Sequence, residues 1–121
     1  MIVNLSGEIR LPGILEDLAL NKCIDFVRDS VENAIKNGAT EVSVRSLFGG
    51  ENYDWCRLGF PIGVLWLILQ EKYEDEGYAD PEGQAERQAG IYVGHILKYV
   101  CNTSNRRFKM RHDFSITYEV V

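Results

Sequence analysis

The last part of the chain alternates without interruption between residues of two kinds. One parity comprises Phe108, Met110, His112, Phe114, Ile116, Tyr118 and Val120, and the residues between them are polar or charged. A period of two is typical of a β-strand with one apolar face. As a single strand, residues 106–120 would span roughly 50 Å, whereas a domain of this length is roughly 35 Å across. The segment is therefore either a long strand that leaves the domain or a hairpin, and both alternatives stay open.

If the segment is a hairpin, the alternation favours a three-residue loop at 111–113. Such a loop places Met110 opposite Phe114. It also places Phe108 opposite Ile116, so that all four side chains stay on one face. A terminal strand of this kind leaves an unpaired edge unless it is central or meets another chain. We therefore expect a C2 homodimer through this segment.

Two earlier segments also alternate as strands do. Residues 2–10 alternate between apolar and polar side chains. Residues 41–48 do the same, with Val42 and Val44 directed inward and Ser43 directed outward.

Three segments have the periodicity of helices. The first covers about residues 15–37 and is followed by Gly38, the residue type preferred just after a helix end. The second, at 62–76, starts behind Pro61, and its first two turns are apolar on all sides, which predicts burial on several sides. The third, at 80–100, opens with an aspartate, a proline and a glutamate, as N-terminal turns often do.

The resulting order, β-α-β-α-α-β with a long strand or a hairpin as the last element, predicts the α+β class. We expect a two-layer sandwich with three helices on one face of a small mixed or antiparallel sheet. Gly90 and Gly94 mark a side of the third helix where the backbone of the second is expected to approach closely. Since the 121 residues contain no repeat or linker, residues 1–121 are expected to form a single α+β domain.

Charge and cysteine content exclude several classes of protein. With 18 acidic and 13 basic residues the formal net charge is −5, which is the wrong sign for a general nucleic-acid-binding protein. Cys23, Cys56 and Cys101 are too widely spaced for a zinc motif or a disulfide framework, so no metal and no other cofactor is expected. The N-terminus lacks a signal-peptide pattern, and the longest apolar run, 64–69, is far shorter than the ~20 residues of a membrane helix. We expect a soluble cytoplasmic protein that binds neither nucleic acid nor membranes.

The connection 49–60 is the strongest candidate for a partner- or ligand-binding site. It brings together Tyr53, Asp54, Trp55 and Arg57, and tyrosine, tryptophan and arginine are enriched in binding hot spots. The alternative is that Tyr53 and Trp55 fold back onto the core as a lid.

The outer sheet face is a second candidate. If the strand parities hold, Arg45 and Arg111 lie on this face among other basic and hydroxyl side chains. These are Arg10, Arg107, Lys109, Ser43, Ser115 and Thr117. Such a face can bind an anion or an acidic partner, or it can simply be solvated. Opposite in sign, the stretch 71–87 carries seven acidic and two basic side chains, as a solvated helix end or an acidic docking patch would.

These features lead to two functional hypotheses. The first is a small cytoplasmic interaction module, such as an immunity-type or inhibitory protein, that binds another macromolecule through its acidic stretch and aromatic loop. The second is a small-molecule-binding protein or an enzyme with a pocket between helices and sheet, in which Cys56 or His95 has a chemical role. The sequence assigns no catalytic residue and leaves the question of an enzyme undecided.

Overall fold

The computed structural model describes residues 17–49, 55–112 and 116–121, without the side chains of 17–19, 56 and 57. Its elements in chain order are α1 (Asp17–Lys36), β1 (Glu41–Val42), α2 (Val44–Phe48), a short 3₁₀ helix (Trp55–Leu58), α3 (Ile62–Asp75), α4 (Pro81–Thr103), β2 (Phe108–His112) and β3 (Ile116–Val120). The described residues therefore form an α+β fold with four α-helices and a three-stranded antiparallel sheet. The strand predicted at 2–10 lies outside the described residues.

Helix α1 follows the predicted apolar period and ends at the predicted glycine. Cys23 and Val31 are each 1% exposed in the core. Gly38 has a φ of 101°, and the Ala39 N–H donates to the carbonyl of Ala34 at 2.9 Å. This helix end needs a residue with positive φ, which glycine adopts without the clash of a Cβ. The prediction for α1 is confirmed.

The strand predicted at 41–48 is wrong beyond its first two residues. Only Glu41–Val42 is a strand, and Val44–Phe48 is helix α2. The Oγ of Ser43 accepts the N–H of Ser46 at 3.0 Å, and the Ser46 Oγ accepts the N–H of Ser43 at 2.9 Å. This reciprocal capping box satisfies two backbone donors at a helix N-terminus, so the chain turns into a helix at Ser43.

Helix α4 is the centre of the fold, because it contacts α1, α2 and α3. Asp80 caps its N-terminus by accepting the N–H of Gly83 at 3.1 Å, and Pro81 occupies the first turn, as predicted. The predicted apolar face is buried as well. It comprises Ala85, Ala89, Tyr92, Val93, Ile96 and Val100.

Helix α3 is buried on one side rather than on several. Leu65 and Leu69 are fully buried, whereas Val64 and Leu67 are 36% and 46% exposed. The prediction of burial on several sides is therefore wrong. In the described part of the fold, α3 packs mainly against α4 and the 3₁₀ helix, which leaves its other side open.

The glycines of α4 do not admit the backbone of α3, contrary to the prediction. A Cβ on Gly90 would lie 3.7 Å from the ring of Trp55, and a Cβ on Gly94 would meet nothing within 4 Å. Gly90 therefore faces an indole ring that the sequence pattern placed in a loop, and Gly94 borders open space.

The C-terminal segment is a hairpin, but its register differs from the predicted one. Strand β3 is central, with β1 and β2 antiparallel on its two sides. Met110 lies opposite Tyr118, and Phe108 lies opposite Val120. The connection falls at 113–115, outside the described residues, instead of at 111–113. The partner of each β2 residue is shifted by four residues, an even number that leaves every side chain on its predicted parity, so alternation does not distinguish the two registers.

The sheet has one apolar side and one charged side. Val42 and Tyr118 are cross-strand partners that are 0% and 5% exposed. On the opposite face Arg111 forms ion pairs with Glu41, at 3.0 Å, and with Glu119. One arginine therefore links residues of all three strands.

The expectation that Ser43 and Thr117 are exposed to solvent on the outer sheet face is wrong, although Thr117, opposite Arg111, does lie on that face. Each residue is 7% exposed. Ser43 is buried because it caps α2 instead of continuing β1, and Thr117 lies on the central strand.

Candidate functional site

An apolar groove of about 390 Å³ opens between the middle of helix α4 and strand β3. Helix α4 forms one wall, β3 forms the other, and the first residue of α2 closes one end. The lining residues are Val44, Ile91, Gly94, His95, Leu97, Lys98, Ile116 and Tyr118. We refer to this feature as the α4–β3 groove.

The α4 wall is a stripe of residues with helical spacing: Ile91, Gly94, His95 and Lys98. Residues three and four positions apart lie on the same side of a helix, and this stripe is separate from the face that packs into the core. Gly94 has no side chain, which keeps the wall low and the groove open. Ile91 is 42% exposed above it.

The β3 wall consists of Ile116 and Tyr118, two residues apart and therefore on the same sheet face. Tyr118 is 5% exposed. Its burial, with a smaller contribution from Cys101, raises the pKa of Tyr118 to about 12. The phenol is therefore protonated well above neutral pH in the folded protein.

The apolar surface continues from the groove onto β2. Met110 lies opposite Tyr118, and cross-strand partners point to the same face. Met110 is 57% exposed, Ile116 is 45% exposed and Ile91 is 42% exposed. Large apolar side chains exposed together around a concave surface are typical of interaction and ligand sites.

The rim of the groove carries positive charge. Lys98 lines the groove and forms no ion pair with another described residue. His95 lies beside it, one helical turn beyond Ile91. An apolar groove with a cationic rim suits a ligand or partner segment that combines apolar and anionic groups.

The aromatic loop predicted as a binding site is only partly described. Tyr53 and Asp54 lie outside the described residues, and so does the side chain of Arg57. Trp55 is 4% exposed, with its ring centre 6.1 Å from that of Phe48 and its edge over Gly90. The Trp55 indole is therefore part of the core, as the lid alternative expects, and it anchors the 3₁₀ helix to α4.

The two predicted site arginines do not share a sheet face. Arg45 is exposed on α2, because residues 44–48 form a helix instead of a strand. Arg111 is on the sheet, half-buried between Glu41 and Glu119. Through these ion pairs Arg111 links the three strands, which is a structural role.

Cys56 and His95 were the sequence candidates for chemistry. Burial raises the pKa of the Cys23 and Cys101 thiols to about 12, and since the thiolate is the nucleophile, both are unreactive at neutral pH. The side chain of Cys56 lies outside the described residues. His95 lines the groove, whereas His112 is exposed at the end of β2. In the described ranges, no group of three or more His, Cys, Asp or Glu side chains is arranged to hold a metal ion.

The acidic stretch 71–87 surrounds the turn between α3 and α4. Its exposed carboxylates are Glu71, Glu74, Asp75, Glu76, Asp80 and Glu82. Glu76 accepts a hydrogen bond from the Lys72 ammonium at 3.1 Å, and Asp80 caps α4. Part of this charge therefore stabilises helix ends, and the rest is accessible to solvent.

Sequence reasoning missed the groove residues of α2 and α4 other than His95, among them Val44, Ile91 and Lys98. The stripe from Ile91 to Lys98 was a usable signal, because its spacing is helical and it lies off the main apolar face. Val44 could not be found in this way, since its position at the groove depends on the capping box that starts α2.

Comparisons with models of protein families, with curated proteins and with solved structures find no match to this chain. Among the described helices, none is both long enough and apolar enough to cross a membrane. The α4–β3 groove is therefore the feature from which a function can be argued.

Proposed function

We propose that this protein is a small cytoplasmic interaction module, similar in kind to immunity or inhibitor proteins, that binds another protein through the α4–β3 groove. The observation that carries the proposal is the exposure of Ile91 and Ile116 around one concave surface, with exposed Met110 next to it on the same sheet face. Monomeric globular proteins seldom expose several large apolar side chains together unless a partner covers them. Lys98 at the rim supports a partner surface that also carries negative charge.

The test compares two substitutions of similar exposure on different surfaces. Ile91→Asp puts a carboxylate into the groove, and Leu67→Asp puts one on the open side of α3. Proteins captured from extracts of the native cell by the wild-type chain should be lost with Ile91→Asp and retained with Leu67→Asp, as quantified by mass spectrometry. Thermal unfolding of both variants checks that they fold. Unchanged capture by folded Ile91→Asp would refute the proposal.

A small-molecule-binding function is the second candidate, because the groove volume of about 390 Å³ lies within the ~300–1,000 Å³ of typical ligand sites. An apolar compound with one anionic group, such as 8-anilinonaphthalene-1-sulfonate, is a suitable probe. Saturable binding to the folded wild type that is lost in Ile91→Asp, together with no captured protein, would favour this alternative.

We also propose the layered arrangement in which helices cover one face of the sheet. The burial of Val42 and Tyr118 on one face supports it, as do the part-exposed charges of Glu41 and Glu119 on the other. A homodimer through the C-terminal segment stays a prediction, and so does binding through the aromatic loop or the acidic stretch.

A further inference from the structure

We propose that the outer edge of strand β2 accepts an extended segment of the partner protein as an added strand, and that this segment alternates apolar with acidic residues. The inference rests on the proposed function, because the added strand would extend the sheet face that forms one wall of the α4–β3 groove and would cover the exposed Met110 side chain. It is carried by the backbone geometry of β2 and by the charges on its two faces.

Two backbone hydrogen bonds, donated by Val120 of β3 and by Val121 directly after it, show which residues of the sheet bond to which neighbouring strand. On the β2 side, the Val121 N–H donates to the carbonyl of Arg107 at 2.9 Å. On the β1 side, the Val120 N–H donates to the carbonyl of Thr40, also at 2.9 Å. Since hydrogen-bonded and non-hydrogen-bonded pairs alternate along an antiparallel ladder, the odd-numbered residues of β2 bond to β3.

The even-numbered residues of β2 consequently direct their backbone groups away from β3. These residues are Phe108, Met110 and His112. In the described part of the sheet, β2 is an edge with no strand on its outer side. Three N–H donors and three carbonyl acceptors therefore face outward, which is what β-strand addition requires.

The side chains of the same residues lie on the sheet face that forms the β3 wall of the groove. Met110, at 57% exposed, would be covered by apolar side chains on the near face of an added strand. Side chains alternate between faces along that strand, so every second residue of the partner segment is expected to be apolar.

The charges on the opposite face of β2 favour acidic residues at the other alternate positions of the partner segment. Arg107 and Lys109 are exposed, and neither forms an ion pair with a described residue, whereas Arg111 is held by Glu41 and Glu119. Acidic side chains on the far face of an added strand would lie next to Arg107 and Lys109. Opposite charges on neighbouring strands are stabilising. The same cations disfavour pairing with basic strands.

A second copy of this chain fits the edge less well. In an antiparallel pairing of two β2 strands about an axis at Met110, Lys109 faces Arg111 of the second copy. Like charges directly opposite each other are destabilising. The charges of β2 therefore favour an acidic partner segment over self-association.

The probe is a fluorescein-labelled nine-residue peptide of alternating valine and glutamate, with an alternating valine and lysine peptide as the control, and binding is followed by fluorescence polarisation. Met110→Pro removes an outward N–H without removing a hydrogen bond to β3, and Met110→Ala is its matched control. We expect the proline variant to bind the acidic peptide roughly tenfold more weakly than the alanine variant.

Lys109→Gln should weaken binding of the acidic peptide about threefold and reduce its salt dependence, while Lys22→Gln on α1 leaves binding unchanged.

Several results would overturn the inference. They are the absence of acidic-peptide binding to the wild type, equal binding of the two peptides, and equal binding by the proline and alanine variants when both are folded. Slow amide exchange at Phe108, Met110 and His112 in the free protein would also overturn it, since the edge would then be covered by this chain or by a second copy. The molecular mass from light scattering then distinguishes an edge covered by this chain from one covered by a second copy. Binding that is lost with Ile91→Asp but unaffected by Met110→Pro would reject strand addition and leave the proposed function intact.

Discussion

At the scale of single residues, Ser43 decides where β1 ends and α2 begins. Its side chain is 7% exposed, and it exchanges hydrogen bonds with Ser46 at 3.0 and 2.9 Å. Without this cap the first N–H groups of a five-residue helix would lack partners, and so short a helix has little intrinsic stability. The cap therefore also positions Val44 at the end of the α4–β3 groove.

Ser43→Ala should lower the free energy of unfolding by about 1 kcal/mol, the usual effect of losing an N-cap side chain. Urea denaturation measures the change. Ser30→Ala is the matched control, because the Ser30 Oγ only donates to the Phe26 carbonyl within α1 at 2.8 Å, and the loss of that bond should change stability by less than ~0.5 kcal/mol. Equal losses for the two variants would contradict the role of the capping box.

At the scale of elements, Arg111 holds the short strand β1 in the sheet. Glu41 of β1 and Glu119 of β3 are cross-strand partners, and Arg111 of β2 forms ion pairs with both. Since β1 is two residues long, it has few backbone hydrogen bonds of its own. Without the guanidinium, two carboxylates would face each other across neighbouring strands.

Arg111→Gln should therefore destabilise the protein by about 1 kcal/mol, a modest effect because the three side chains are partly exposed and screened by solvent. The difference from wild type should shrink in 1 M NaCl, which screens the repulsion that remains between Glu41 and Glu119. Adding Glu119→Gln should recover part of the loss. A loss that salt and the second substitution leave unchanged would show that the ion pairs contribute little.

At the scale of the whole molecule, the core contains titratable groups that are neutral when protonated. Burial raises the pKa of Cys23 and Cys101 from 9.0 to about 12, and that of Tyr118 from 10.0 to about 12. Between the ordinary and the raised pKa, the unfolded chain binds fewer protons than the folded protein. Stability therefore falls as pH rises through that range.

We expect the free energy of unfolding to be insensitive to these groups below about pH 8 and to fall between about pH 9 and 12. Urea denaturation at a series of pH values measures this loss. Tyr118→Phe keeps the ring and removes one titrating group, so its stability should fall less steeply than that of the wild type above pH 10. Parallel curves for the two proteins would contradict the assigned burial of the phenol.

Local patterns in the sequence determined much of this protein. The apolar face of α1 and its end at Gly38, the Asp80 cap of α4, and the α+β class follow from periodicity and from backbone preferences that act within a few residues. These predictions hold because helix caps and amphipathic faces involve neighbours in the chain. The alternation of residues 108–120 likewise determined β structure, since a period of two suits no other regular element.

The tertiary structure decided the features that depend on distant residues. The hairpin register was open because a shift by any even number of residues preserves the faces, and β3 became central only because β1 pairs with it. The indole of Trp55 is buried because residues distant in the chain, including Phe48 and Gly90, pack against it. The α4–β3 groove joins residues from α2, α4 and β3, and the outward edge of β2 depends on which strands lie beside β3. No local pattern contains these contacts, because each is formed between segments whose proximity the fold alone establishes.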